Sequence, residues 1–277
     1  MTDMTKVIAV VDSARRQTRF AAGLSSAFSA AGIGLELRTH RELIAEVSIE
    51  QPRGQAPIVD PDRPLMWLSS GDAVRESTPD ARFLASEAIG AARSIAMLTR
   101  SPVLNRPSAF SLCGTLPPSP ALAVRRTRHL DHEGVRAERF TRTWRADDDT
   151  DVGRLEVYDY AAGRSSYGPV PSSAGPFRSR PAVDRARLVK VRVVGDRTIA
   201  ATDVALVTLE ASRRIVSWYQ LDLAALWWLI GEDTGDRTLA RIDCWAWDAG
   251  FDADLDETAE AVAAWMSDRM RPAEVTQ

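Results

Sequence analysis

Apolar residues run unbroken from Val7 to Val11. They lack the polar alternation of a strand with one wet face, so the pattern predicts a buried parallel strand. Phe20, Leu24, Ala27, Phe28 and Ala31 follow at helical spacing, with Ser13 and Thr18 ahead of them as candidate caps and Gly32 and Gly34 behind them as stops. Leu35 and Leu37 flank Glu36 in a second strand. Such a β-α-β opening predicts a right-handed crossover and an open α/β sheet. Gln51 to Pro64, with four prolines, reads as a surface loop, and Pro64 to Leu68 as another buried strand. Phe83, Leu84, Ala88, Ala91, Ala92, Ile95 and Leu98 share one face of a helix, and that face is expected to be buried.

Patterning weakens after Phe110. Pro117, Pro118 and Pro120 mark a linker, and short strands are expected at Leu122 to Val124, Arg139 to Trp144 and Leu155 to Tyr160. Gly163 to Pro181 reads as a long loop. Leu188 to Val194 and Thr198 to Ala201 read as a hairpin around Gly195-Asp196, and Ser217 to Leu229 as a helix running into a strand. Leu239 to Trp245 is the return strand after a turn at Asp233 to Asp236. Asp256 to Met270 carries the apolar stripe of a closing helix. The expected organisation is a 1–110 N-terminal α/β domain, a reduced 111–160 central region, and a 161–277 C-terminal domain built on an antiparallel sheet.

Composition narrows the classes. The 277 residues are 45% hydrophobic and 26% charged, which excludes disorder of the whole chain. A net charge of −3 argues against a nucleic-acid partner. No apolar run is long enough for a membrane span, and the N-terminus lacks a cleavable signal, so a cytoplasmic protein is expected. Cys113 and Cys244 form no pair motif and read as buried, inert thiols. Lys6 and Lys190 are the only lysines, which limits how phosphate can be handled.

Local clusters read mostly as structure. His129 and His132 lack an evident third metal ligand and read as charged surface. Asp147 to Asp149 reads as an acidic turn. Trp227, Trp228, Trp245 and Trp247 fall on two strands and read as packing. Gly163 to Gly168 has the glycines and hydroxyls of a phosphate cradle but lacks the P-loop lysine, and reads as a flexible loop.

Taken in order, several segments resemble the ATP-grasp superfamily, and within it the RimK-like ligases that mature ribosomal peptides. Leu65-Met-Trp-Leu68, the helix with Phe83 and Glu87, and Val103-Leu-Asn-Arg-Pro-Ser108 resemble that family's N-terminal domain. Tyr158 to Gly163 resembles its adenine hinge, Lys190 to Asp196 with Ile199 to Ala201 its strand-and-turn motif, and Gly235 to Trp247 its metal-bearing hairpin. The resemblance implies an α/β, ATP-grasp-like fold. It implies ATP and magnesium as cofactors, with Lys190 and Arg192 on phosphate, Asp159 on ribose, and Asp243 with Glu232 on the metal.

The chain also departs from the family. No lysine follows Asn105-Arg-Pro107 or precedes the hinge, and Arg241 stands where the resemblance puts a metal-binding glutamate. Arginine's planar fork does not replace a point ammonium. Two readings therefore stay open: a carboxylate–amine or ester-forming ligase of peptide or specialised metabolism with an altered site, or a non-catalytic scaffold that binds a peptide or a partner enzyme. A third is a nucleotide-independent enzyme using Cys113 or His129.

Overall fold

The computed structural model describes residues 6–12, 18–69, 78–108, 111, 113, 135–137, 141–143, 155–159, 164–167, 177–181, 186–232, 235–244 and 254–271. The chain divides into two compact units. The first is discontinuous, built from residues 1–117, 191–226 and 243–277, and the second comprises 118–190 and 227–242.

In the first unit, β1 (Lys6–Val10) leads through α1 (Arg19–Ala30) to β2 (Gly34–Arg38). Then come α2 (His40–Glu46), β3 (Ser48–Glu50), β4 (Ile58–Asp60), β5 (Leu65–Trp67), α3 (Pro79–Leu98) and β6 (Val103–Leu104). Strands β2-β1-β5-β6 form an all-parallel sheet, with Val7 opposite Leu35 and Ala9 opposite Met66. The predicted β-α-β opening is present, and Thr18 caps α1 by accepting the Ala21 amide. The segment read as one loop at 51–64 instead contains β4, paired antiparallel with β3. Two prolines flank that strand without removing an amide its three residues need.

The chain continues with β7 (Val135–Ala137), β8 (Thr141–Thr143), β9 (Leu155–Asp159), β10 (Arg164–Tyr167), β11 (Phe177–Pro181), β12 (Ala186–Val194) and β13 (Arg197–Ile199). It ends with α4 (Leu206–Trp218), β14 (Leu223–Gly231), β15 (Arg237–Asp243) and α5 (Leu255–Met270). Strands β10-β9-β11-β8 make one sheet and β13-β12-β14-β15-β7 another. The expected loop at 163–181 thus holds β10 and β11, both antiparallel to β9. In particular 164–167, read as a flexible loop, is a strand. The candidate strand at 122–124 lies outside the described residues.

Helix α4 was expected only from Ser217 onward. Its start carries no capping side chain, because Ala205 holds the N-cap position. Its end is turned by Gln220 at φ 50°, where a glycine would have been the readable stop.

The first unit's core joins its three chain segments. Val7, Ala9 and Val11 pack with Phe20, Leu24 and Phe28 of α1, with Val194, Ile199 and Leu223, and with Leu255, Ala259, Val262 and Met266 of α5. Gly195, at φ 55°, turns the β12–β13 hairpin. A Cβ there would lie 2.7 Å from Trp265 of α5, so any side chain is excluded. The buried face of α3 is Ala88, Ile89, Ala92, Ile95 and Ala96. Phe83, Leu84 and Leu98, expected on that face, are exposed. At about 100° per residue Phe83 and Leu98 lie well away from the centre of the face packed on α2, and Leu84 lies at its margin.

Polar side chains close the joints. Asn105 is fully buried and left-handed, at φ 56°. Its Nδ2 donates to the carbonyls of Leu223 (2.8 Å) and Cys244 (2.9 Å), and its Oδ1 accepts the amides of Asp222 and Leu223, both at 2.8 Å. Its own amide donates to Asp222 Oδ2. Arg106 donates to the carbonyls of Ala96, Thr99 and Ser101 and so satisfies the C-terminal end of α3.

Replacing Asn105 by alanine would leave four backbone groups, most of them buried, without these bonds and would strain a left-handed position. The expected loss is about 3–5 kcal/mol of unfolding free energy in urea titrations. Asn105→Gly removes the same bonds without the strain and is expected to retain about 1 kcal/mol more than Asn105→Ala. Equal losses in the two variants would show that the backbone angle is unstrained.

Candidate functional site

Alternation along β12 puts Lys190, Arg192 and Val194 on one face. Both charges are buried, Lys190 at 6% exposure and Arg192 at 0%. A buried charge needs compensation from its surroundings. Lys190 Nζ lies 5.4 Å from the centroid of the Trp227 ring on β14, within cation–π range. Arg192 Nε lies 2.9 Å from Oδ2 of Asp254, itself 2% exposed. Asp254 occupies the N-cap position of α5 but makes no side-chain cap bond. Its carboxylate is turned to Arg192 instead, while Thr258 Oγ1 donates to its carbonyl at 2.6 Å. The boundary between the two units falls just after Lys190, so Lys190 belongs to the second unit and Arg192 to the first.

The other residues singled out from sequence stand at strand ends. Asp159 ends β9, in register with Arg164 of β10 and Phe177 of β11. Glu232 follows β14 and is exposed, and Asp243 ends β15 half-buried. Arg241 falls within β15. Among the described residues no group of three or more His, Cys, Asp or Glu is placed to hold a metal ion. His129, His132, Asp147 to Asp149, Trp245 and Trp247 lie outside the described residues. Trp227 and Trp228 are buried on β14.

Sequence reasoning missed a second cluster, at the C-terminal edge of the parallel sheet. The order β2-β1-β5-β6 makes β1 and β5 the switch point, where open α/β sheets form crevices. Asp12 follows β1 and Ser69 follows β5, and Ser69 Oγ donates to Asp12 Oδ1 at 2.5 Å. His40, at the start of α2, packs its ring 5.5 Å from that of Trp67. Its Nε2 is buried without a hydrogen-bond partner. Burial pulls the His40 pKa below the ordinary histidine value; Asp12 opposes this and Arg93 adds to it. The readable signal was that Asp12 and Ser69 each follow a predicted strand.

Cys113 and Cys244, distant in sequence, are free thiols and both buried. Burial, followed by a hydrogen bond with Cys113, pushes the Cys244 thiol well above its ordinary range. A thiol held protonated in this way is a poor nucleophile.

Solved structures match the fold along nearly its whole length, three of them as follows. ATP-grasp ligase PsnB, complexed with a phosphomimetic variant of its minimal precursor, Mg and ADP, gives a TM-score of 0.69 at 13% identity, over 97% of this chain and 100% of that one. Macrocyclase MdnC from Microcystis aeruginosa MRC, bound with precursor peptide MdnA, gives 0.68 at 11% identity, over 95% and 100%. A RimK domain ATP-grasp protein from Sphaerobacter thermophilus DSM 20745 gives 0.57 at 13% identity, over 94% and 99%. The chain has an α/β, ATP-grasp-like fold. No protein-family model and no curated protein matches the sequence.

Two outcomes are expected from this geometry. Asp254→Ala or Arg192→Met alone breaks a buried ion pair and should cost about 3–5 kcal/mol, whereas the Arg192→Met/Asp254→Leu double variant should recover most of that in denaturant unfolding. The second concerns pH. A histidine whose folded pKa is depressed favours the neutral form, so its stabilisation is full above the unfolded value of about 6.5 and is lost as pH falls from there through the folded value. Thermal unfolding followed from pH 8 to pH 5 (about the span of histidine titration) should therefore show a loss that is smaller in His40→Gln.

Proposed function

We propose that this chain is an ATP-grasp-type ligase that acts on a peptide in the cytoplasm. The observation that carries the proposal is the end-to-end likeness to PsnB and MdnC, whose structures hold precursor peptides. In this reading a peptide carboxylate takes the γ-phosphoryl group of ATP. The resulting acyl phosphate is attacked by an amine or hydroxyl, which forms the amide or ester and releases phosphate.

Lys190 is the phosphate contact in this reading, since it is the lysine on the strand that carries the motif. Asp159 would hold the ribose from the end of β9. Arg192 would reach a phosphate only by giving up Asp254. Glu232 and Asp243 are the residues that would hold magnesium. That ion is commonly bound by one or two carboxylates together with substrate phosphates and water, so a two-carboxylate set suits it. Bound there, it would neutralise phosphate charge.

A non-catalytic scaffold that keeps the fold and binds a peptide or partner enzyme is the second reading. It is favoured by the commitment of Arg192 to Asp254 at 2.9 Å.

Calorimetry and thermal unfolding with ATP and magnesium separate the two. A ligase should bind nucleotide, and at about one hundred times Kd the gain is about 2.7 kcal/mol of stability. Lys190→Met, which keeps the stem and removes the charge, should lower nucleotide affinity about 10- to 100-fold, with circular dichroism unchanged. Peptide binding without any nucleotide-dependent shift would favour the scaffold.

A further inference from the structure

Alternation divides the parallel sheet into two faces. Val7, Ala9, Val11, Met66 and Leu68 share the core with α1 and α5. Trp67 has the opposite parity, and so have Asp12 and Ser69, which carry β1 and β5 past their ends. The hydrogen bond from Ser69 to Asp12 holds those two ends together. His40, at the head of α2, lies against the Trp67 ring with centroids 5.5 Å apart. Helices α2 and α3 pack on each other, and Arg93 of α3 and Asp12 are the charged groups that act on His40. His40 and Arg93 are half-buried, and Trp67 is 1% exposed.

Three nitrogens of this cluster are buried without a hydrogen-bond partner: Trp67 Nε1, Arg93 Nε and His40 Nε2. Buried N–H groups are normally paired, and each one left unpaired is destabilising. Indole and guanidinium nitrogens only donate, and a protonated imidazole donates from both of its nitrogens. A ligand that answers all three must therefore be an acceptor, and an anion is the strongest acceptor.

Charge decides which anion. Arg93 and Asp12 cancel, and burial favours the neutral form of His40. A monoanion adds one negative charge, which one proton on His40 balances. A phosphate dianion would leave a second negative charge buried and uncompensated. A carboxylate carries the single charge, and its plane matches that of a guanidinium.

We propose that Trp67, Arg93 and His40 form a binding site for a small carboxylate among β5, α2 and α3, and that His40 takes up a proton as the ligand binds. The site is built from the first unit alone and does not rest on the nucleotide contact assigned to Lys190.

Sodium acetate is the probe, titrated into the full chain against sodium chloride at equal ionic strength. The readout is the indole N–H resonance of Trp67 in NMR spectra, assigned by its loss in Trp67→Phe. The resonance should move saturably with a Kd of about 1–10 mM, the range open to so few ligand atoms. Because one proton accompanies the ligand, Kd should rise by up to about tenfold per pH unit between about pH 6 and about pH 8. His40→Gln should abolish that dependence. Arg93→Lys keeps the charge but loses the Nε donor, and should weaken binding about tenfold. Lys190→Met should bind acetate as the wild type does, so the result stands whether or not the chain binds nucleotide.

No saturable movement of the wild-type resonance up to about 100 mM acetate would overturn the proposal and leave these nitrogens to water. Movement unchanged by Arg93→Lys would overturn it by placing acetate elsewhere. A Kd independent of pH would overturn the proton uptake. Inorganic phosphate bound more tightly than acetate would overturn the choice of a monoanion.

Discussion

The amide of Asn105 is the joint on which the first unit depends. That unit is assembled from three stretches of chain, and this one side chain touches all of them: it stands in the first, accepts from Asp222 and Leu223 in the second, and donates to Cys244 in the third. An asparagine amide has two donor hydrogens and two acceptor lone pairs, and here all four are used. No other side chain of this size offers that set. Its left-handed backbone is what points the amide across the gap, and asparagine is the non-glycine residue that visits that region most readily. The carboxylate of Asp222 accepts the remaining amide. Burial raises its pKa, while that hydrogen bond and the nearby Arg269 and Arg106 act in the opposite direction.

Arginine performs the same kind of work elsewhere in the unit. Arg106 spreads its fork over the carbonyls that end α3, Arg38 bridges Glu36 and Glu46, and Arg192 meets Asp254 in the interior. These tasks reward a planar group that donates in fixed directions. The scarcity of lysine looks different in this light. These three cations are structural ties, and the lysine on a central strand lies over a tryptophan ring.

The parallel sheet was legible because its signals are local: continuous apolar runs for β1 and β5, and Thr18 as a cap. The hairpin around Gly195 and the closing helix were legible for the same reason. What escaped had no local signal. Helix α4 starts without a capping side chain and ends on Gln220, so neither boundary is written in residue type. On α3 the apolar period was read correctly as helical, and Ala88, Ala92 and Ile95 of that face are buried, but Phe83, Leu84 and Leu98 are exposed, because periodicity reports that a face exists and not how far its neighbours cover it. Strands β10 and β11 hide in a glycine-, serine- and proline-rich stretch, where pairing with β9 overrides composition. Of the candidate site, the position of Lys190 on a buried strand could be read from sequence. The partner of Arg192 could not, since Asp254 lies far along the chain, and nothing local marks that two buried charges will meet. The contact between Cys113 and Cys244 escaped for the same reason.

The packing of α1 against α5 imposes an order in time. Phe20, Leu24 and Phe28 form much of the cover over one side of the first sheet, and what they rest against is the last helix of the chain. During synthesis the opening β-α-β segment leaves the ribosome long before that helix exists, so its apolar side has no native surface to meet. Contacts between residues so distant in sequence carry a loop-closure cost and slow the search for the native state. Elements made early in this stretch are thus among the last to be completed. The nascent chain, more than the finished protein, is where this fold is vulnerable to aggregation.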